Sequence, residues 1–219
     1  MHKNEIYIVL IRAHTGLGKF ARLFTGYPYT HIAVSLDRSL TDFVSYSRRY
    51  HSFPFDAGFT HEYRDYYAFG HHRDVKIKVY RLCPDDAHAE AVRKFLARCE
   101  SDPDEVFNLY AMMTMPLLHG LRIRNAHNCM SFTAKVIELT DCVQLDKPYY
   151  RYSIPELDAC LTGQPSFEGS LPRRRSAGYR KYMQRFEPVR YLSDLCRLTK
   201  TLSTRLLHEH NASDFWDKT

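Results

Sequence analysis

The chain has 219 residues, of which 44% are hydrophobic and 14% aromatic, a composition that supports one sizeable globular core and excludes a disordered or fibrous polymer. Its net charge of +6 is unevenly placed: residues 171–219 carry 11 Lys and Arg against 5 Asp and Glu, while residues 1–170 balance at 20 to 20. Such a distribution points to a surface-binding C-terminal segment rather than a basic active site.

The six cysteines form no CxxC pair and no tight framework, which argues against structural zinc and against a secreted disulfide scaffold. The opening apolar run is too short to span a bilayer and has no small-residue cleavage site, so the expected location is cytoplasmic, with room for peripheral membrane attachment.

Glu5 to Arg12 (EIYIVLIR) is a β-branched and aromatic run of strand length, the pattern of a central strand covered on both faces. Thr15 to Phe24 reads as a short helix ended by Gly26 and Pro28. Gly18-Lys19 is not a phosphate loop, because Ala13 stands where the first Gly is required and Phe20 where Ser or Thr is required. His31 to Asp37 alternates, with His31, Ala33 and Ser35 on one face and Ile32, Val34 and Leu36 on the other. Phe43 to Ser47 is its hairpin partner. Small residues beside His31 leave room above the imidazole.

Residues 48–74 look like a long loop, dense in Arg, His, Tyr and Phe, suited to a substrate-side wall or lid. Its His51, His61, His71 and His72 lack helical i, i+4 partners and nearby ligand cysteines, so they read as solvated loop histidines and no metal is implied. Val75 to Leu82 alternates as a strand with one wet face near a sheet edge. Pro84-Asp85-Asp86 opens a helix to about Cys99, and Asp102-Pro103-Asp104-Glu105 a second through Met115.

Asn128 then caps a mostly buried helix, Cys129 to Leu139, whose apolar and small residues fill one broad arc. Cys129 falls in its first turn, where free N–H groups and the helix dipole favour a thiolate. Ser153-Ile154-Pro155-Glu156 caps a final helix of the body. Three segments follow: a domain over 1–162, a linker by composition over 163–188, and a basic amphipathic helical extension over 189–219. That extension suits either docking on the body or an anionic membrane surface, with nucleic acid the less favoured partner.

Tyr29-Thr30-His31-Ile32-Ala33-Val34-Ser35-Leu36-Asp37 early in the chain, paired with Asn128-Cys129-Met130-Ser131-Phe132-Thr133-Ala134 late in it, resembles the circularly permuted NlpC-type papain-like enzymes. This group includes lecithin:retinol acyltransferase-like proteins and small bacterial hydrolases. Gly58-Phe59-Thr60-His61-Glu62 and Phe107-Asn108-Leu109-Tyr110 also look like features of the small bacterial members, and the likeness covers roughly residues 5–160. It implies an α+β fold with an antiparallel sheet packed on the Cys helix, Cys129 as nucleophile, His31 as base, and a polar third residue that matches Ser45.

The expected oxyanion donors are the Cys129 N–H with Tyr29, Asn125 or Asn128. The implied activity is a thiol hydrolase or acyltransferase without a cofactor, acting on a peptide-like amide first and an acyl lipid second. The rival reading is a catalytically silent binding module held on an acidic membrane or nucleic acid by its basic tail.

Overall fold

A computed structural model describes residues 4–14 and 26–216, so the helix expected over Thr15–Phe24 lies outside the described residues. In chain order the elements are β1 (Ile6–Ile11), β2 (His31–Ser35), β3 (Asp42–Tyr50), β4 (Phe53–Tyr63), α1 (Arg64–Tyr67), β5 (Asp74–Leu82), α2 (Asp86–Ser101), β6 (Val106–Phe107), α3 (Leu109–Leu118), β7 (Ala126–His127), α4 (Cys129–Thr140), α5 (Ile154–Cys160), β8 (Ser166–Pro172), α6 (Tyr179–Tyr182) and α7 (Pro188–Trp216). Six strands form one antiparallel sheet in the order β4-β3-β2-β1-β5-β8, and β6 and β7 make a short parallel pair beside it. The fold class is therefore α+β with an antiparallel sheet.

Strand β1 is central and buried at all six positions, as a run apolar at both parities requires. Its two faces feed two cores. Ile8 and Leu10 join Ile32, Val34 and Tyr46 under α2, α4, α5 and α7, while Val9 and Ile11 join Ala33, Phe43 and Ile77 around Tyr67. Helix α4 begins where its cap signal places it. Asn128 Oδ1 accepts from Ser131 N, and Ser131 Oγ accepts from Asn128 N, closing a capping box.

Three expectations are corrected and one is met. Residues 48–74 are not a loop, since β4 pairs along the length of β3 and α1 follows it. Pro54, Asp56, Gly58 and His61 give β4 a loop-like composition, but Phe55, Ala57 and Phe59 alternate into the larger core. Strand β5 lies one strand in from the sheet edge, as expected, with β8 paired outside it over seven residues. The second helix starts at Leu109 under an Asn108 cap rather than at Asp102, which instead closes a turn by accepting from Asp104 N and Glu105 N.

The fourth concerns the segments after residue 162. The expected linker 163–188 contains β8 and α6, and the expected extension is α7, which lies along β4 with Leu198 and Leu202 buried in the main core. Each of those leucines stabilises the body by about 2 kcal/mol through burial alone. The C-terminal fifth is structural. Among the described residues no helix is long and apolar enough to cross a membrane.

Candidate active site

Cys129 is the first residue of α4, partly buried, with its backbone N–H at the end of the helix where no intrahelical acceptor exists. Its thiol lies beside the His31 imidazole, close enough to help hold that ring protonated. His31 is the first residue of β2, paired to Ile11 of β1, and its Nε2 donates to Glu62 Oε2 at 2.7 Å. With Nε2 committed to the carboxylate, Nδ1 is the nitrogen left for the sulfur. The ring thus lies between thiol and carboxylate, although the three residues are 31 and 67 positions apart along the chain.

Glu62 is held from three sides. Besides the imidazole, Ser47 Oγ donates to its Oε1 at 2.6 Å and Tyr67 Oη to its Oε2 at 2.7 Å. The His31 and Glu62 side chains are only 13% and 8% exposed, so this pairing occurs largely out of water, where each charge needs the other. Burial alone would neutralise His31, but the Glu62 carboxylate and the neighbouring Cys129 outweigh it and raise its pKa to about 10. Burial likewise pushes Glu62 up, yet His31, Ser47 and Tyr67 together leave it below its ordinary value. Imidazolium beside carboxylate is the favoured state at neutral pH.

The structure separates the residues proposed from sequence. His31 and Cys129 come together. Ser45 does not reach the imidazole: alternation and the β2–β3 register place it across from Ala33, and its hydroxyl donates to the Ile32 carbonyl at 3.0 Å. The orienting role that the sequence assigned to Ser45 belongs to Glu62, with Ser47 and Tyr67 behind it.

Of the oxyanion candidates, Tyr29 donates its hydroxyl to Glu168 of β8, away from the thiol. Asn125 sits in a left-handed turn with φ 49°, its carbonyl accepting from Val106 N and Arg205 Nη1. Asn128, adjacent to Cys129, is buried, and its amide nitrogen makes no hydrogen bond among the described residues. It has a donor to spare.

Sequence reasoning also missed His127, two residues before Cys129. It is buried against Tyr46, Phe95 and Tyr149, and burial, aided by Arg98 and Lys135, lowers its pKa to about 4. It stays neutral and cannot replace His31 as the cationic partner of a thiolate. The expected solvated histidines are partly engaged: His61 faces Asp42 at 3.1 Å, and His51 packs edge-on against Phe69.

Among the described residues no group of His, Cys, Asp and Glu is arranged to hold a metal. Two cavities, of about 500 and 380 Å³, lie between β4 and α7 and between the β2–β3 turn and α2. Neither is lined by Cys129 or His31. The signal that could have found Glu62 is its parity on β4, legible only once 53–63 is recognised as a strand. No known protein family matches this chain, and no curated protein and no solved structure matches it.

Proposed function

We propose that the chain is a permuted papain-like cysteine hydrolase or acyltransferase whose reacting groups are Cys129, His31 and Glu62. The observation that carries this reading is the imidazole held between the Cys129 thiol and the Glu62 carboxylate. A thiol at a helix start, beside an imidazole oriented by a third group, is the arrangement that activates a nucleophile.

In the first half-reaction the Cys129 sulfur attacks a carbonyl carbon of an amide, ester or thioester. A C–S bond forms, and negative charge collects on the carbonyl oxygen near the free N–H at the start of α4. Collapse breaks the bond to the leaving group, which takes a proton from the His31 imidazolium. In the second half-reaction neutral His31 takes a proton from water or an acceptor nucleophile, which attacks the thioester and releases the acyl group with regeneration of the thiol. Glu62 keeps the ring in register and offsets its charge throughout.

A peptide-like amide is the first substrate class and an acyl lipid the second. Labelling with an electrophilic acyl probe followed by peptide mapping tests the proposal. Modification centred on Cys129, abolished by Cys129→Ser and strongly reduced by His31→Ala, is the expected result. Labelling spread equally over the cysteines and indifferent to His31→Ala would leave a silent binding module.

A further inference from the structure

The charge excess that the sequence places after residue 170 turns up on a strap fixed to the body. Between Glu168 and Glu187 the chain carries Arg173, Arg174, Arg175, Arg180, Lys181 and Arg185 and no acidic residue. Free in solution, such a run would spread out by self-repulsion. Here it is fastened at several points: Ser176 donates N–H and Oγ–H to the buried Asp65 at 2.7 and 3.0 Å, and Tyr182 stacks on Tyr66 with centroids 3.8 Å apart. Further along, His51 N donates to the Tyr182 carbonyl and Ser52 Oγ to that of Gln184.

These bonds use backbone and tyrosine, leaving Arg174, Arg175, Arg180, Lys181 and Arg185 exposed. Arg174 even crowds Arg64, whose own pKa is lowered by burial and by this like charge, against a partial offset from Asp37. The acids that border the strap are Asp74, opposite Pro172, and Glu187; Asp65 is buried and already occupied by Ser176.

Directly after the cations comes exposed apolar surface. Phe186, Val189 and Leu192 are 57%, 76% and 59% exposed, and Val189 and Leu192, three apart in the first turns of α7, share one side. We propose that residues 173–192 form a docking surface for an anionic lipid bilayer. A fixed cluster of cations next to apolar side chains is the chemistry of a membrane interface, where the cations meet headgroup charge and the apolar groups leave water. Nucleic acid would use the arginines and could stack on the tyrosines, but it offers nothing to the aliphatic Val189 and Leu192. The strap grips α1, and α1 carries the Tyr67 that bonds Glu62. A bilayer seated there would lie one short helix away from the proposed catalytic carboxylate.

The surface does not depend on Cys129 acting as a nucleophile, and the test separates the two ideas. The full chain is sedimented with vesicles of phosphatidylcholine alone and with vesicles containing a quarter phosphatidylglycerol, at low and raised salt. Expected are binding to the anionic vesicles only, weakening with salt, and unchanged binding by Cys129→Ala. A variant carrying Arg174→Ser, Arg175→Ser, Arg180→Ser and Lys181→Ser should bind at least about 100-fold more weakly. Val189→Ser with Leu192→Ser should cost about 10-fold and leave the salt dependence in place.

Replacing the same arginines by lysine should preserve binding, which guards against a variant that merely folds poorly. Equal binding to both vesicle types, no binding to the anionic ones, or a serine variant that binds like the parent overturns the proposal. So does tight binding of single-stranded RNA that needs the arginines but not Val189 and Leu192, in the absence of vesicle binding.

Discussion

Among the described residues, two clusters each join a cysteine, a glutamate and a ring, and their carboxylates are shifted in opposite directions. In one, His31 links Cys129 to Glu62. In the other, Tyr46 donates to Glu105 Oε2 at 2.9 Å and lies beside the Cys99 thiol. Glu62 is held below its ordinary pKa, whereas burial raises Glu105, against the bond from Tyr46. Burial, resisted by the same Tyr46, pushes the Cys99 thiol up to about 11.

Two differences produce this. A histidine can accept the proton and become the counter-charge, while a tyrosine cannot become a cation. Cys129 also opens a helix and Cys99 lies in the last turn of one, so the positive end of a helix dipole faces the first and the negative end the second. On the proposed reading, residue types alone would not make a reactive thiol; the cation and the helix end would.

Competition labelling with iodoacetamide at neutral pH probes this contrast most strongly. Cys129 should react at least about 100-fold faster than Cys99, and His31→Ala should remove most of the difference; similar rates for the two cysteines in the parent protein would dissolve the contrast. Next in size is Glu62→Gln, which should lower acyl turnover by about 10- to 100-fold and move the alkaline limb of the pH profile down toward the ordinary histidine value near 6.5. The sign follows from the raised pKa of His31. The stabilisation it contributes is complete below about 6.5 and disappears as pH rises through about 10. Melting temperatures measured across that window should fall in the parent protein and fall less in His31→Ala.

The silent cluster is sealed by α7, and Leu198 lines the cavity that Glu105 borders. Leu198→Ala should destabilise the fold by at least about 2 kcal/mol in urea titrations and quicken labelling of Cys99 while leaving Cys129 unchanged. A parallel rise at Cys129 would mean that the two clusters are not independent. The smallest effect is expected from Ser45→Ala, with turnover within about 2-fold of the parent because its hydroxyl serves a strand carbonyl. A loss comparable to that of Glu62→Gln would restore Ser45 to the site.

Much of this architecture can be read without coordinates. The unbroken apolar run of β1, the alternation of β2 and the Asn128 cap of α4 are local signals, and each yields the element found. What escapes depends on partners remote in sequence. Strand β4 hides behind Pro54, Asp56 and Gly58 because its pairing with β3 decides its state, and with it hides the parity that carries Glu62 toward His31. Strand β8, with Phe167 and Glu168 exposed, has too little apolar alternation to stand out and exists because β5 offers an unpaired edge. Likewise the basic face of α7 suggests a free appendage, when Leu198 and Leu202 on its other face complete the core.

The late position of β8 and α7 has a consequence for how the protein is made. Synthesis delivers the N-terminal end first, so β5 emerges with an open edge and β4 with its α7 seat empty until β8 and α7 have left the ribosome. Up to that moment the strands that hold His31 and Glu62 lack their final supports, and an uncovered strand edge invites pairing with other chains. Nascent chains halted near residue 162 should therefore be cut rapidly by protease and carry a Cys129 of ordinary reactivity, whereas release of the full chain should bring protection and thiol reactivity together. On the proposed reading, the Cys129–His31–Glu62 centre would gain its final supports only once β8 and α7 have been made.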